Sequence, residues 1–163
     1  MIRIEPITTR NAEVFREVRL CALRESPGAF GSTYAREAAY GDHEWARRVE
    51  RWSGEQGIGF VAMDGEQACG LIGALLEDSG RAQLVSMWTA PEYRGRGVGR
   101  LLVDAVIGWA ASRTLHTVRL MAVEQNQTAL RFYEGLGFSL TGFAEPYPND
   151  PALVQWEMAR RLE

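Results

Sequence analysis

The stretch Leu84–Trp109, LVSMWTAPEYRGRGVGRLLVDAVIGW, changes its period midway. Leu84 to Thr89 is apolar, β-branched and aromatic, which predicts a strand, and Ala90-Pro91 ends it. Val98, Leu101, Leu102, Ala105, Val106 and Trp109 then recur at helical spacing. Between the two lies Arg94-Gly95-Arg96-Gly97-Val98-Gly99. Strand, glycine-rich loop and helix in this order leave unpaired N–H groups at the helix start, with Arg94, Arg96 and Arg100 nearby. That combination suits an anion such as a phosphate or pyrophosphate. The plain alternative is a connecting turn that happens to contain glycines. The loop lacks the Lys-Ser/Thr ending of a nucleoside-triphosphate loop and the G-x-G-x-x-G spacing of a dinucleotide fingerprint.

The rest of the composition sets bounds. A chain of 163 residues, 46% apolar and 24% charged, is expected to form one globular domain over residues 1–163 with a substantial core. Eighteen basic against 21 acidic residues give a net charge of −3, which offers no general attraction to nucleic acid or to an anionic membrane. All the basic residues are arginine. Cys21 and Cys69 are too few for a disulfide framework, and each sits among apolar neighbours, so buried free thiols in a reducing cytoplasm are expected. No apolar run approaches membrane-spanning length, and no apolar signal region opens the chain.

Outward from the central stretch, the pattern predicts a first strand in Met1–Ile7 and a helix carrying Val14, Phe15, Val18, Cys21 and Ala22 to about Arg24. Ser26-Pro27-Gly28 breaks that helix. A less regular helical region follows over Ala35–Trp52, whose charges, Glu37 among them, suggest a solvated face. Strands are expected at Ile58–Met63, Ala68–Glu77 and Arg81–Thr89, with turns at Asp64-Gly65 and Asp78-Ser79-Gly80. The helix after the glycine loop should end near Ser112. A strand at Thr117–Val123, a short helix at Asn126–Leu136, a strand at Phe138–Phe143, a polar loop at Glu145–Pro151 and a strand at Leu153–Ala159 complete the chain. The fold class is α/β, a mixed and mostly antiparallel twisted sheet flanked by helices.

Two segments carry a resemblance to a known family. Arg94–Gly99 matches the (Gln/Arg)-x-x-Gly-x-(Gly/Ala) motif of the GCN5-related N-acetyltransferase (GNAT) superfamily. Asn126-Gln127-Thr128-Ala129, followed by Arg131-Phe132-Tyr133 and Gly137-Phe138, resembles that family's Asn-x-x-Ala-x-x-x-Tyr segment with its Gly-Phe ending. The likeness extends in outline from Met1 to about Trp156.

The resemblance implies an acyl-CoA N-acyltransferase fold in which Leu84–Thr89 and Thr117–Val123 splay apart around the thioester arm of acetyl-coenzyme A. It implies a cradle for the pyrophosphate formed by Arg96, Gly97, Val98 and Gly99, with Arg100 close behind and Arg94 facing the phosphates. A β-bulge near Met87 and Trp88 would turn a backbone N–H toward the thioester carbonyl. Asn126 would hold the pantetheine arm as well as cap its helix. Ala129 would let the arm pass, and Tyr133 would protonate the departing thiolate. Many relatives use a glutamate base near the central strands. No acid lies between Gln83 and Thr89, which leaves Glu77 and Glu124 as candidates. His43 and His116 have no metal-ligand company. Specificity would come from Phe30, Tyr34, Trp45 and Tyr147, with the acidic Glu145 and Asp150 near a cationic amine. The implied function is transfer of acetyl from acetyl-CoA to a primary amine of a small or medium-sized acceptor in a ternary complex. Acetylation of protein N-termini and a non-catalytic acyl-CoA-binding domain are the alternatives. A homodimer is compatible with the resemblance, and a metal, a nucleic acid or a membrane partner is not expected.

Overall fold

The computed structural model describes residues 1–78 and 80–163. Its elements are β1 (Ile2–Pro6), α1 (Ala12–Glu25), α2 (Tyr34–Ala38), α3 (Asp42–Ser53), β2 (Gly57–Asp64), β3 (Gln67–Glu77), β4 (Arg81–Thr89), α4 (Val98–Ser112), β5 (Thr117–Val123), α5 (Gln127–Gly135), β6 (Ser139–Tyr147) and β7 (Asp150–Arg161). The strands form one sheet in the order β1-β2-β3-β4-β5-β7-β6. Among the described residues every neighbouring pair is antiparallel except β4 and β5. This is the expected mixed sheet, and the parallel pair is the β-α-β unit built on the glycine loop.

Side-chain alternation places helices on both faces of the sheet. On β3, an added methyl at Gly73 would meet the Trp52 ring of α3 at 2.7 Å. One at Gly70, of opposite parity, would meet Leu102 of α4 at 2.9 Å. So α3 covers one face and α4 the other. Gly59, opposite Gly73 in the β2–β3 register, leaves room for the same Trp52 ring. Phe15 of α1 packs against Trp52 and Trp45, with ring centroids 5.2 and 5.8 Å apart. Burying a side chain of the size of Phe15 stabilises by about 1.5–3 kcal/mol.

Several expectations need correction. The buried stripe of α1 is Phe15, Val18, Arg19, Ala22 and Leu23, rotated from the apolar positions read in the sequence. Cys21 therefore faces outward, while Cys69 is the buried thiol. The Ala35–Trp52 region is two helices, because Tyr40 and Gly41 interrupt it. Glu37 on α2 is 1% exposed, not solvated, because two arginines reach it. The expected Glu145–Pro151 loop is largely strand, since β6 and β7 pair almost to the hairpin tip. Pro146 is tolerated there because β6 is an edge strand. The turn expected at Asp78-Ser79-Gly80 includes Ser79, which lies outside the described residues.

Candidate active site

β4 and β5 pair only from Arg81↔Thr117 to Gln83↔Arg119. Beyond Leu84 and Leu120 they part, and the gap opens into a cleft of about 940 Å³. That volume lies at the upper end of the range for ligand sites. One end of the cleft is the loop before α4, the floor is the parted strands, and α5 and the β6–β7 hairpin close the sides.

The β4 backbone is irregular where it borders the gap. Leu71 faces Trp88 and Gly73 faces Val85, so Ser86 and Met87 together oppose Ile72. This is a bulge, and Ser86 has a left-handed φ of 59°. A non-glycine residue held there costs about 1–2 kcal/mol. A bulge leaves backbone groups outside the ladder and re-aims them.

At the end of the cleft, Gly97 caps α4 with φ 83°, and no side chain caps the helix. The first intrahelical bond there runs from Leu101 N–H to the Gly97 carbonyl at 3.1 Å. The N–H groups of Val98, Gly99 and Arg100 thus open α4 beside the cleft, where the helix dipole favours an anion. A methyl on Gly97 would meet nothing within 4 Å, so its requirement is the left-handed backbone. At Gly99 the limit is packing, since a methyl would lie 2.9 Å from Met87 and 3.0 Å from Phe132.

The GNAT acetyltransferase sequence model matches residues 21–138. The chain belongs to the GNAT family. It is 31% identical over 112 residues to an uncharacterized N-acetyltransferase of Methanocaldococcus jannaschii, a match covering 61% of this chain and 47% of that protein. It is 32% identical over 110 residues to a peptidyl-lysine N-acetyltransferase of Escherichia coli, covering 64% of this chain and 58% of the other. The chain thus matches about half the length of these relatives. A GNAT-family acetyltransferase from Streptococcus pneumoniae has the same fold, with a TM-score of 0.81 at 19% identity and 100% coverage of both chains.

As a GNAT protein, the chain gathers most of its motif residues in one place. Met87, Trp88, Arg94, Gly97, Val98, Gly99, Arg100, Asn126, Ala129 and Tyr133 all line the cleft. Asn126 caps α5, its Oδ1 accepting from Ala129 N–H at 3.1 Å. Tyr133 is 7% exposed, edge-on to Phe132 and Phe138. Among the described residues its hydroxyl has no hydrogen-bond partner, and burial pushes its pKa well up, so it keeps its proton. Arg94 lines the cleft while its Nη2 donates to Glu25 Oε1 at 2.6 Å and its Nε to the Thr89 carbonyl at 3.0 Å. Glu25 also accepts from Trp88 Nε1 at 2.9 Å and from Ser26 Oγ. These hydrogen bonds, from Ser26 first, then Trp88 and Arg94, outweigh its desolvation and lower its pKa.

The structure leaves other expected residues outside. Arg96 is not in the cleft wall; it stacks 4.9 Å above the Tyr93 ring and donates to the Glu92 carbonyl. Glu77 does not line the cleft. It takes Arg119 Nη2 at 2.6 Å beside the paired ends of β4 and β5, and that bond keeps its pKa low. Glu124 is exposed and also stands outside the wall. Among the described residues, no Asp, Glu or His lines the cleft. Of the four expected specificity residues only Tyr147 lines it. Trp45 is buried against Phe15 and Tyr40, and Phe30 lies buried under Arg19. Tyr34 stacks with Arg24 on the surface.

The sequence reading missed the residues that build the other wall. Ser26, Gly28, Ala29, Met121, Leu153 and Gln155 line the cleft. Tyr147 Oη donates toward the carbonyls of Gly28 and Phe30 at 3.3 and 3.2 Å, and Asn149 Nδ2 donates to Phe30 O at 2.5 Å. The hairpin tip is thereby tied across to the segment after α1. One available signal was Arg19, a charged residue in the middle of the α1 apolar stripe.

Proposed function

We propose that this protein transfers the acetyl group of acetyl-CoA directly to a primary amine of a small or medium-sized acceptor. The observation that carries the reading is the joining of three features in one cleft: the bulge at the β4–β5 parting, the uncapped start of α4, and a buried, protonated Tyr133. Acetyl-CoA supplies a thioester whose acetyl carbon accepts the nitrogen. The Val98, Gly99 and Arg100 N–H groups, with the Arg100 charge, suit its diphosphate. Asn126 retains its Nδ2 donors for the pantetheine arm, because only Oδ1 is used in capping.

In the reaction the amine nitrogen bonds to the acetyl carbon and the carbon–sulfur bond breaks. Backbone N–H groups released from the ladder at the Ser86–Met87 bulge stabilise the carbonyl oxygen as it gains charge. The leaving sulfur takes a proton from Tyr133, which burial keeps protonated at every physiological pH. The amine proton goes to solvent, because among the described residues no Asp, Glu or His lines the cleft, and a proton from solvent restores the Tyr133 hydroxyl.

Thiol release from acetyl-CoA in the presence of polyamines, amino acids, aminoglycosides and peptides tests the reading. The peptide set includes lysine side chains, the acceptor class named for the E. coli relative. Release with small amines is the expected result. Turnover confined to peptide N-termini or lysines would replace the acceptor. Binding of coenzyme A with no release across the panel would favour a non-catalytic acyl-CoA-binding domain.

A further inference from the structure

The transfer chemistry leaves one polar cluster on the acceptor side of the cleft without a task. Ser86 lines the cleft from within the β4 bulge, and its Oγ accepts from Arg19 Nη1 at 3.1 Å. Arg19 is 5% exposed. Its Nε and Nη2 donate to the two oxygens of Glu37 at 2.9 and 3.0 Å, and its guanidinium lies 5.0 Å above the Phe30 ring. Glu37 also accepts from Arg48 Nη1 at 2.5 Å. Two guanidinium groups therefore share one buried carboxylate, and the cluster carries one excess positive charge.

A serine hydroxyl has one proton to give and two lone-pair sites. Arg19 occupies a lone pair and has no acceptor to offer in return, so it fixes Oγ and turns the O–H elsewhere. Among the described residues no protein group accepts that proton. A hydroxyl with a buried cation behind it is a strong donor, and it suits an anionic oxygen better than a neutral one. It also sits next to Met87, where the proposed reaction places the thioester carbonyl.

We propose that Ser86, oriented by the Arg19–Glu37–Arg48 cluster, receives a carboxylate of the acceptor, which is therefore an amino-acid-type amine with its carboxylate beside the reacting nitrogen. The inference rests on the reading of the cleft as an acetyl-transfer site. The same positive charge disfavours the ammonium form of the acceptor and so favours the attacking free amine. Val85, Met121 and Leu153 line the cleft as well and suit an apolar side chain on the amino acid.

The test is calorimetric titration of the coenzyme A-saturated protein with two matched sets. One set is phenylalanine, phenylalaninamide and phenethylamine; the other is leucine, leucinamide and isopentylamine. The wild type is expected to bind the two amino acids about 10- to 100-fold more tightly than their carboxylate-free partners, the range for a hydrogen bond to a charged group. Ser86→Ala should weaken the amino acids to the level of the amides and leave the amides and amines as they were. Arg48→Gln, which removes the excess charge from behind Glu37, should lower the same preference. An absent preference in the wild type overturns the proposal, as does equal weakening of every ligand by Ser86→Ala or a preference that survives both substitutions. Thiol release is read separately in the same mixtures. A carboxylate preference without acetyl transfer would overturn the transfer reading and keep the subsite. Transfer without the preference would overturn the subsite alone.

Discussion

The two walls of the cleft are built by different means. The wall proposed for acetyl-CoA is mostly backbone: an uncapped α4 start, a left-handed Gly97 and a bulge with Ser86 at φ 59°. The opposite wall is mostly side chains reaching between distant elements. Arg19 meets Glu37 and Ser86, Glu25 meets Trp88 and Arg94, and Tyr147 meets the carbonyls after α1. Backbone geometry holds groups shared by every acyl-CoA, while side-chain contacts can be exchanged without moving the sheet. The contrast teaches that side-chain contacts between distant elements are concentrated on the α1–α2 and β6–β7 side, where the acceptor would enter.

The contrast breaks most visibly at Glu37. Glu37→Ala leaves two buried guanidinium groups without their carboxylate and is expected to cost about 3–5 kcal/mol in urea unfolding. A loss under about 1 kcal/mol would mean that the cluster does not hold the wall. The cluster also gives a pH dependence. Desolvation alone would raise the Glu37 pKa, but its bonds and charge interactions with Arg19, helped by the charge of Arg48, lower it below its ordinary 4.5. A depressed folded value stabilises the fold fully above that ordinary value. The contribution falls away as pH drops through the folded pKa, and Glu37→Gln should flatten that part of the acid limb.

Next in size is Tyr133→Phe, which keeps the ring against Phe132 and Phe138. Turnover should fall by about 10- to 1000-fold while coenzyme A affinity and unfolding midpoint hold. Equal loss of binding and turnover would assign the hydroxyl to positioning instead. Gly97→Val separates backbone from contact on the wall proposed for acetyl-CoA. It should lower stability by about 1–2 kcal/mol through the left-handed φ. It should also weaken coenzyme A binding about tenfold, or about 1.4 kcal/mol. The smallest effect is expected at Tyr147→Phe. Losing a hydroxyl shared between two carbonyls should cost about 0.5–1.5 kcal/mol, and the acceptor KM should rise with kcat nearly unchanged.

The same contrast explains what the sequence made legible. The strand–loop–helix at Leu84–Trp109 and the Asn126–Phe138 segment are local, so spacing revealed both elements, the end of α4 at Ser112 and the Asn126 cap. The bulge was expected only through the family, because a left-handed Ser86 leaves no mark in the spacing. The opposite wall is less legible, because its contacts join residues far apart in the chain. Trp45 and Phe30 looked like pocket aromatics, yet aromatic character also suits a core, and that is where both lie. Glu37 looked solvated because its partners stand 18 and 11 residues away. Glu77 stands outside the cleft wall, bonded to Arg119, 42 residues on. Arg96 matched its motif position but folds back onto Tyr93, a neighbour three residues earlier.

Calorimetric titration of acetyl-CoA into the wild-type protein, with ATP and NAD as competitors, tests the central claim most directly. The account predicts one site with a dissociation constant of about 100 μM or tighter, in the usual range for enzyme substrates, and much weaker binding of both competitors. Acetyl-CoA binding no tighter than ATP would contradict it.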